Sequence, residues 1–183
     1  MVKNRVFAIV ITLAAYIFSI AAWVGFMPSS ALAADPAQVV QLRQTKICQG
    51  CDLSRAYLVA NKLDYAYLLS ADLSRASLSF ASLDHASLSR TNLSGAILDG
   101  AVLTNAKLLF ANLSDANLAA ADLSNANLNS ANFQGTNLTG ANLDRADLSY
   151  ARNLTIDQVK SAKNWQQAIF SRRFHKRLMA SVD

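Results

Sequence analysis

The sequence predicts an all-β solenoid, and three observations carry the prediction. Residues 51–150 read in frame as twenty consecutive five-residue segments, without insertion or deletion. The third position is Leu in nineteen of them, from Leu53 to Leu148, and Phe133 fills the other. The first position is Ala in sixteen, the rest being Cys51, Asn61, Thr91 and Thr136. A period of five matches neither the 3.6 of a helix nor the 2 of a strand, so a helix would smear the Leu residues over all its faces. A short extended piece closed by a turn accommodates it: positions one and three point in, two and four point out, and a turn near five resets the phase. One such segment cannot bury its Leu alone, so segments must stack, and stacking pairs backbone between successive coils.

The segments Ala71-Asp72-Leu73-Ser74-Arg75, Ala111-Asn112-Leu113-Ser114-Asp115 and Ala141-Asn142-Leu143-Asp144-Arg145 are typical. This pattern resembles the pentapeptide-repeat family, whose consensus is Ala-(Asp/Asn)-Leu-x-x. The resemblance implies a right-handed quadrilateral parallel β-helix with one repeat per side. Twenty repeats then make five coils, a rod about 24 Å long at a strand spacing of about 4.8 Å. Recurrence at twenty residues agrees with it: Ser54, Ser74, Ser94 and Ser114 form one series, Asp52, Asp72, Asn92, Asn112 and Asn132 another.

Four regions follow. Residues 1–33 read as an export signal: Lys3 and Arg5 begin it, residues 6–27 are apolar apart from Thr12 and Ser19, and Ala31-Leu32-Ala33 gives a small-x-small site with the cut between Ala33 and Ala34. The twin arginine of the alternative export route is missing. The competing reading is an uncleaved membrane anchor, since the apolar run is long enough to span a bilayer. Residues 34–50 form an N-terminal helical cap: Asp35, Pro36 and Gln38 are a helix start, and Val39, Val40, Leu42 and Ile47 its apolar side. Residues 51–150 are the repeat body. Residues 151–183 are a C-terminal helical cap and basic tail, with a capping-box start at Thr155 and Gln158 and a second helix expected over about 165–180. The formal charge of +5 is uneven, and the tail carries most of the basic excess while the repeat body is net acidic.

Cys48-Gln49-Gly50-Cys51 is the one chemically suggestive motif. A haem attachment needs His next, and Asp52 follows. A zinc site needs four ligands, and the chain has two Cys and two distant His. A structural disulfide or buried thiol pair stapling the cap to the first coil, and a redox-responsive pair, remain open. The stretch from Thr45 to Leu53 resembles the leading segment of exported pentapeptide-repeat proteins of cyanobacteria and chloroplasts, and Ser161 to Trp165 with Ala168, Ile169 and Phe170 resembles their C-terminal cap.

Function must lie on outward positions. Apolar residues fall there in the first coil (Tyr57, Val59, Tyr65, Tyr67, Leu69) and the third (Ile97, Val102, Leu109, Phe110), with Phe80 between. Exposed apolar clusters indicate contact with something, either a partner or the folded-back caps. Tyr67, Leu69, Leu109, Phe110 and Tyr150 form the expected binding face. Asp64, Asp84 and Asp144 share a column beside His85, but acid–base work needs a water-excluding pocket that a convex rod does not offer. The six glycines read as scattered, with no phosphate loop. The expectation is therefore an exported, non-enzymatic rod without cofactor or metal, binding an unspecified protein in the periplasm or thylakoid lumen. Alternatives are a thiol-redox regulator using Cys48 and Cys51, and a protein held at the membrane surface by its N-terminus or basic tail. Some family members mimic DNA and inhibit type II topoisomerases; the basic ends and export signal argue against that class and against nucleic acid as a partner.

Overall fold

The structure, a computed structural model, describes residues 34–181. The expected signal segment, with Ala33, lies outside the described residues; Ala34 is buried. In each repeat the first three residues are extended and the last two form the turn. The fifth residue has φ between 53° and 68° in every one of the twenty repeats, and sixteen of those twenty carry a side chain. The N–H of the next first position donates to the carbonyl of the third, as from Ala76 to Leu73 at 3.0 Å. A positive φ at the third of the four turn residues is the type II pattern, which favours Gly or Asn there. Gly50, Gly95, Gly100, Gly135 and Gly140 all occupy this slot. The glycines are in register rather than scattered.

Successive coils pair in parallel, each residue meeting the one twenty further on, from Ile47 with Tyr67 to Asn132 with Arg152. Leu53 N–H donates to Asp72 O at 2.7 Å, and Asp72 N–H to Cys51 O at 2.8 Å. Four repeats thus close each turn of a right-handed, four-sided parallel β-helix. The third-position Leu residues are at most 2% exposed and Phe133 is fully buried, so one column of side chains fills each inner wall. Thr91 and Thr136 replace the inward Ala without leaving an orphan hydroxyl: they donate to Leu68 O at 2.9 Å and Leu113 O at 2.8 Å.

The second position explains the family's Asp/Asn preference. From Asn112 to Asp147 every such side chain accepts the backbone N–H two residues on, as Asn132 does from Gln134 at 3.3 Å. This Asx-type bond steadies the turn from within. The amides also stack between coils: Asn92 donates to Asp72, Asn112 to Asn92, Asn132 to Asn112 and Asn153 to Asn132, at 2.7 to 3.2 Å.

A solenoid exposes unpaired backbone at both ends, and both ends are covered. Below, helix α1 (Pro36–Thr45) lies under the first coil with Leu42 buried. Gln38 Oε1 accepts the Asp52 N–H at 2.7 Å, Arg43 Nη2 donates to Tyr57 O at 2.8 Å, and Lys46 Nζ to Asp64 O at 3.1 Å. Val40 and Ile47, expected on the packed side, are instead 49% and 56% exposed. The reason for Ile47 is that it already belongs to the coil: it bridges Tyr67 as an outward second position.

Above, the repeat ends at Tyr150 but the coiling does not. Arg152 pairs with Asn132 and Lys163 with Asn142, while strand β1 (Asp147–Leu148) pairs in parallel with β2 (Ile169–Phe170). The remaining side is served by helix α2 (Ile156–Ser161), whose capping-box Gln158 donates from Nε2 to Phe133 O and Thr136 O, both at 2.8 Å. The tail is therefore an irregular sixth coil. It also breaks the helix expected over 165–180 into a 3₁₀ turn (Trp165–Gln167), β2, and helix α3 (Arg172–Met179), because the top edge of β1 needs a strand partner.

Candidate functional site

The register fixes which outward side chains are neighbours. Tyr67 and Leu69, Leu109 and Phe110, and Tyr150 stand on one side of the rod, in repeats 66–70, 106–110 and 146–150. They are not contiguous. Ser89 and Arg90 intervene after the first pair, and Asn129 and Ser130 after the second, so each group sits about 10 Å from the next at two coil spacings. Leu69 and Leu109 are half-buried, whereas Tyr67, Phe110 and Tyr150 are 40%, 49% and 72% exposed. The other prominent rings lie on different sides: Tyr57, Tyr65 and Phe80 are 66–71% exposed. The apolar surface is thus a set of spots around the wall, not one stripe.

Fifth-position side chains lean along the rod onto the fifth position of the next coil. Tyr65 stacks on His85 with ring centroids 5.0 Å apart. Phe80 lies on Gly100 so closely that a Cβ there would sit 2.6 Å from its Cε1. Sequence reading missed this pairing; its signal is an aromatic and a Gly twenty residues apart.

The carboxylate column is structural. Asp84 accepts from the Thr104 hydroxyl, from His85 Nδ1 at 2.8 Å and from Asn105 Nδ2 at 3.2 Å. The Thr104 bond first, and His85 second, lower its pKa to about 2. A carboxylate so held is ionised and cannot serve as a general acid near neutrality. Asp64 accepts from the Ser82 hydroxyl, and Asp144 lies 3.9 Å from Arg145 Nε. Among the described residues no group of three or more His, Cys, Asp or Glu could hold a metal.

Cys48 occupies a Leu-type inward position, Cys51 the Ala-type position that follows, and both are buried. They are joined as a disulfide with Cα atoms 5.3 Å apart, clamping the turn between the cap and the first full repeat. At the other end, α3 turns Leu178 inward and leaves Arg172, Arg173, His175, Lys176 and Arg177 exposed. Beside it a cleft of about 170 Å³ is lined by Trp165, Phe170, His175, Leu178 and Met179.

A closed wall of paired backbone around a side-chain-filled axis defines the class of β-helical repeat proteins. The profile for pentapeptide repeats, in eight copies, matches residues 51–90, 86–125 and 111–152, and the chain belongs to that family. Solved structures similar to it include HetL, a pentapeptide repeat protein involved in heterocyst differentiation regulation in the cyanobacterium Nostoc sp. strain PCC 7120, at 32% identity over 63% of this chain and TM-score 0.35. This chain spans 60% of the length of HetL. A second Nostoc pentapeptide repeat protein is 27% identical over 76% of this chain and 98% of its own, at TM-score 0.38. One from the Arabidopsis thaliana thylakoid lumen is 26% identical over 69% of this chain and 80% of its own, at TM-score 0.33. No curated protein matches the chain.

Proposed function

We propose that this protein is an exported, non-enzymatic rod that binds another protein through its outer wall, in the periplasm or the thylakoid lumen. The observation that carries the reading is the exposure of Tyr57, Tyr65, Phe80 and Tyr150, each 66–72% accessible, on a wall whose backbone is already paired. Rings held on such a wall lose little conformational entropy on binding, which is what favours aromatic anchors at interfaces. The export-type sequence of residues 1–33 supports the compartment, and the buried disulfide suits an oxidising one.

Two measurements test it. The protein recovered from the exported fraction is expected to begin at Ala34; a product that begins at Met1 and stays in the membrane overturns release. Partners cross-linked in that fraction are expected to be lost from a Leu109→Asp plus Phe110→Asp variant and from Tyr150→Ala. Identical partner sets for both variants and the wild type exclude the expected face.

The disulfide favours one second reading, a thiol-redox response. Reduction would open the clamp across the turn of residues 48–51, while the bonds from Cys48 N–H to Tyr67 O and from Gly50 N–H to Leu69 O keep the segment on the coil. If reductant changes neither the melting temperature nor partner capture, the pair is a plain staple.

A further inference from the structure

The wall binds on the rod's flanks; the top end carries a different surface. From Gln158 to Val182 the sequence contains no acidic residue. Helix α3 presents Arg172 with Lys176 and Arg173 with Arg177, each pair four residues apart and so on a common face. Among the described residues the ion pairs are His85 with Asp84 and Arg145 with Asp144, so none of the described acids pairs with these cations. Lys176 and Arg177 sit in the last turn, where the helix dipole favours cations, but the other two work against the helix. Arg172 and Arg173 occupy the first turn, which has no acidic residue, and the positive end of the helix dipole disfavours cations there. Local stability does not explain Arg172 and Arg173 in that turn, whereas an external anion does. Apolar surface lies alongside: Ile169 and Met179 are 55% and 47% exposed, and Met179 edges the cleft with Trp165, Phe170 and Leu178.

We propose that this end of the rod, with the Arg172, Arg173, Lys176 and Arg177 cluster beside Met179 and its cleft, docks on an anionic phospholipid bilayer. Cations meet the headgroup phosphates, and Met179 and Ile169 reach toward the acyl boundary. A bilayer offers both chemistries at once, while a soluble polyanion would leave the apolar part unused. Helices α1 and α3 cap opposite ends of the β-helix, and this contact uses residues of the top end alone.

The test is sedimentation of the full chain, as purified from its expressing cell, with phosphatidylcholine vesicles and with equimolar phosphatidylcholine–phosphatidylglycerol vesicles. Binding is expected to anionic vesicles only and to disappear in high salt, as the Debye length falls from about 10 Å at 0.1 M to about 3 Å at 1 M. Each cation replaced by Gln at positions 172, 173, 176 and 177 is expected to cost roughly fivefold in affinity. The melting temperature should not change, because these side chains are exposed. Met179→Ser is expected to weaken binding while leaving its salt dependence intact. Equal binding to both vesicle types, retention in high salt, or no effect of the four substitutions overturns the proposal, and is also how a retained apolar N-terminus would behave. Unchanged binding by Met179→Ser, or capture by heparin with no capture by vesicles, overturns it in favour of a purely ionic polyanion site.

Discussion

At the fifth position of each repeat a side chain meets the neighbouring coil, and single residues there decide local fit. Gly100 and Gly140 have nearly the same φ, but a Cβ at Gly100 would strike the Phe80 ring while nothing lies within 4 Å of one at Gly140. Gly140→Ala is therefore expected to cost only the left-handed backbone penalty, about 1 kcal/mol. Gly100→Ala should cost distinctly more, and in thermal melts Phe80→Ala should abolish the difference, a coupling of about 0.5–3 kcal/mol. Equal effects of the two Ala substitutions would mean that the ring does not rest on Gly100. Asp84 makes a second residue-scale case. Its folded pKa is about 2, below the usual carboxylate range, so its contribution to stability is full above the unfolded value and is lost as pH falls through about 2. Carboxyl titration by NMR should find this midpoint, and Thr104→Val should raise it, since the Thr104 bond is the largest cause of the depression.

Among the elements, the caps do the same work with the same side chain. Gln38 and Gln158 are each the third residue of their helix, and each also bonds the open edge of the coil it covers; Gln158 completes a capping box, whereas Gln38 bonds the Asp35 side chain, which accepts the Ala37 N–H. Gln158→Ala removes the box, leaves Thr136 O without its donor and leaves Phe133 O with the Thr136 N–H alone, at 3.1 Å. A loss of about 2 kcal/mol is expected, with faster amide exchange in residues 131–140 and concentration-dependent self-association through the bared edge. Unchanged exchange would show that the top coil does not depend on the cap. This level also shows what the sequence discloses. The inward columns are legible because burial demands one residue type at two positions of every five. The helix starts are legible because they are local, although the box that Asp35 and Gln38 suggest does not close, since Asp35 accepts the Ala37 N–H instead. The sixth coil is not: Arg152, Lys163 and Ile169 join through backbone N–H and C=O groups that every residue possesses, so no side-chain pattern marks them. The wall is half legible. Tyr67, Phe110 and Tyr150 can be read as outward, yet whether a ring projects or lies down depends on the residue twenty positions away, as Phe80 over Gly100 shows.

For the molecule as a whole, stability is close to a sum over coils and the interfaces between them, because each coil touches only its neighbours. Deletion of residues 101–120 removes one full turn and keeps every remaining column in phase. Phe80 retains Gly100, Asn92 acquires Asn132 in place of Asn112, and Asp84 acquires Ser124 and Asn125 in place of Thr104 and Asn105. That variant should fold as a shorter rod with an unchanged circular dichroism shape and a lower melting temperature. Deletion of residues 101–105 also keeps Leu upon Leu and sets Asn117 over Asn92, but it turns the upper half by one side, which strips Asp84 of Thr104 and Asn105 and gives the rod a quarter-turn between its caps. Its loss in stability should exceed what five residues of core would account for. Deletion of residues 101–103 puts outward residues on the axis in every coil above, and no folded product is expected. The order full turn, single side, broken frame is a property of the coil and not of any one residue. If the three-residue deletion melted as high as the twenty-residue one, the inward columns would not be what holds the coils together.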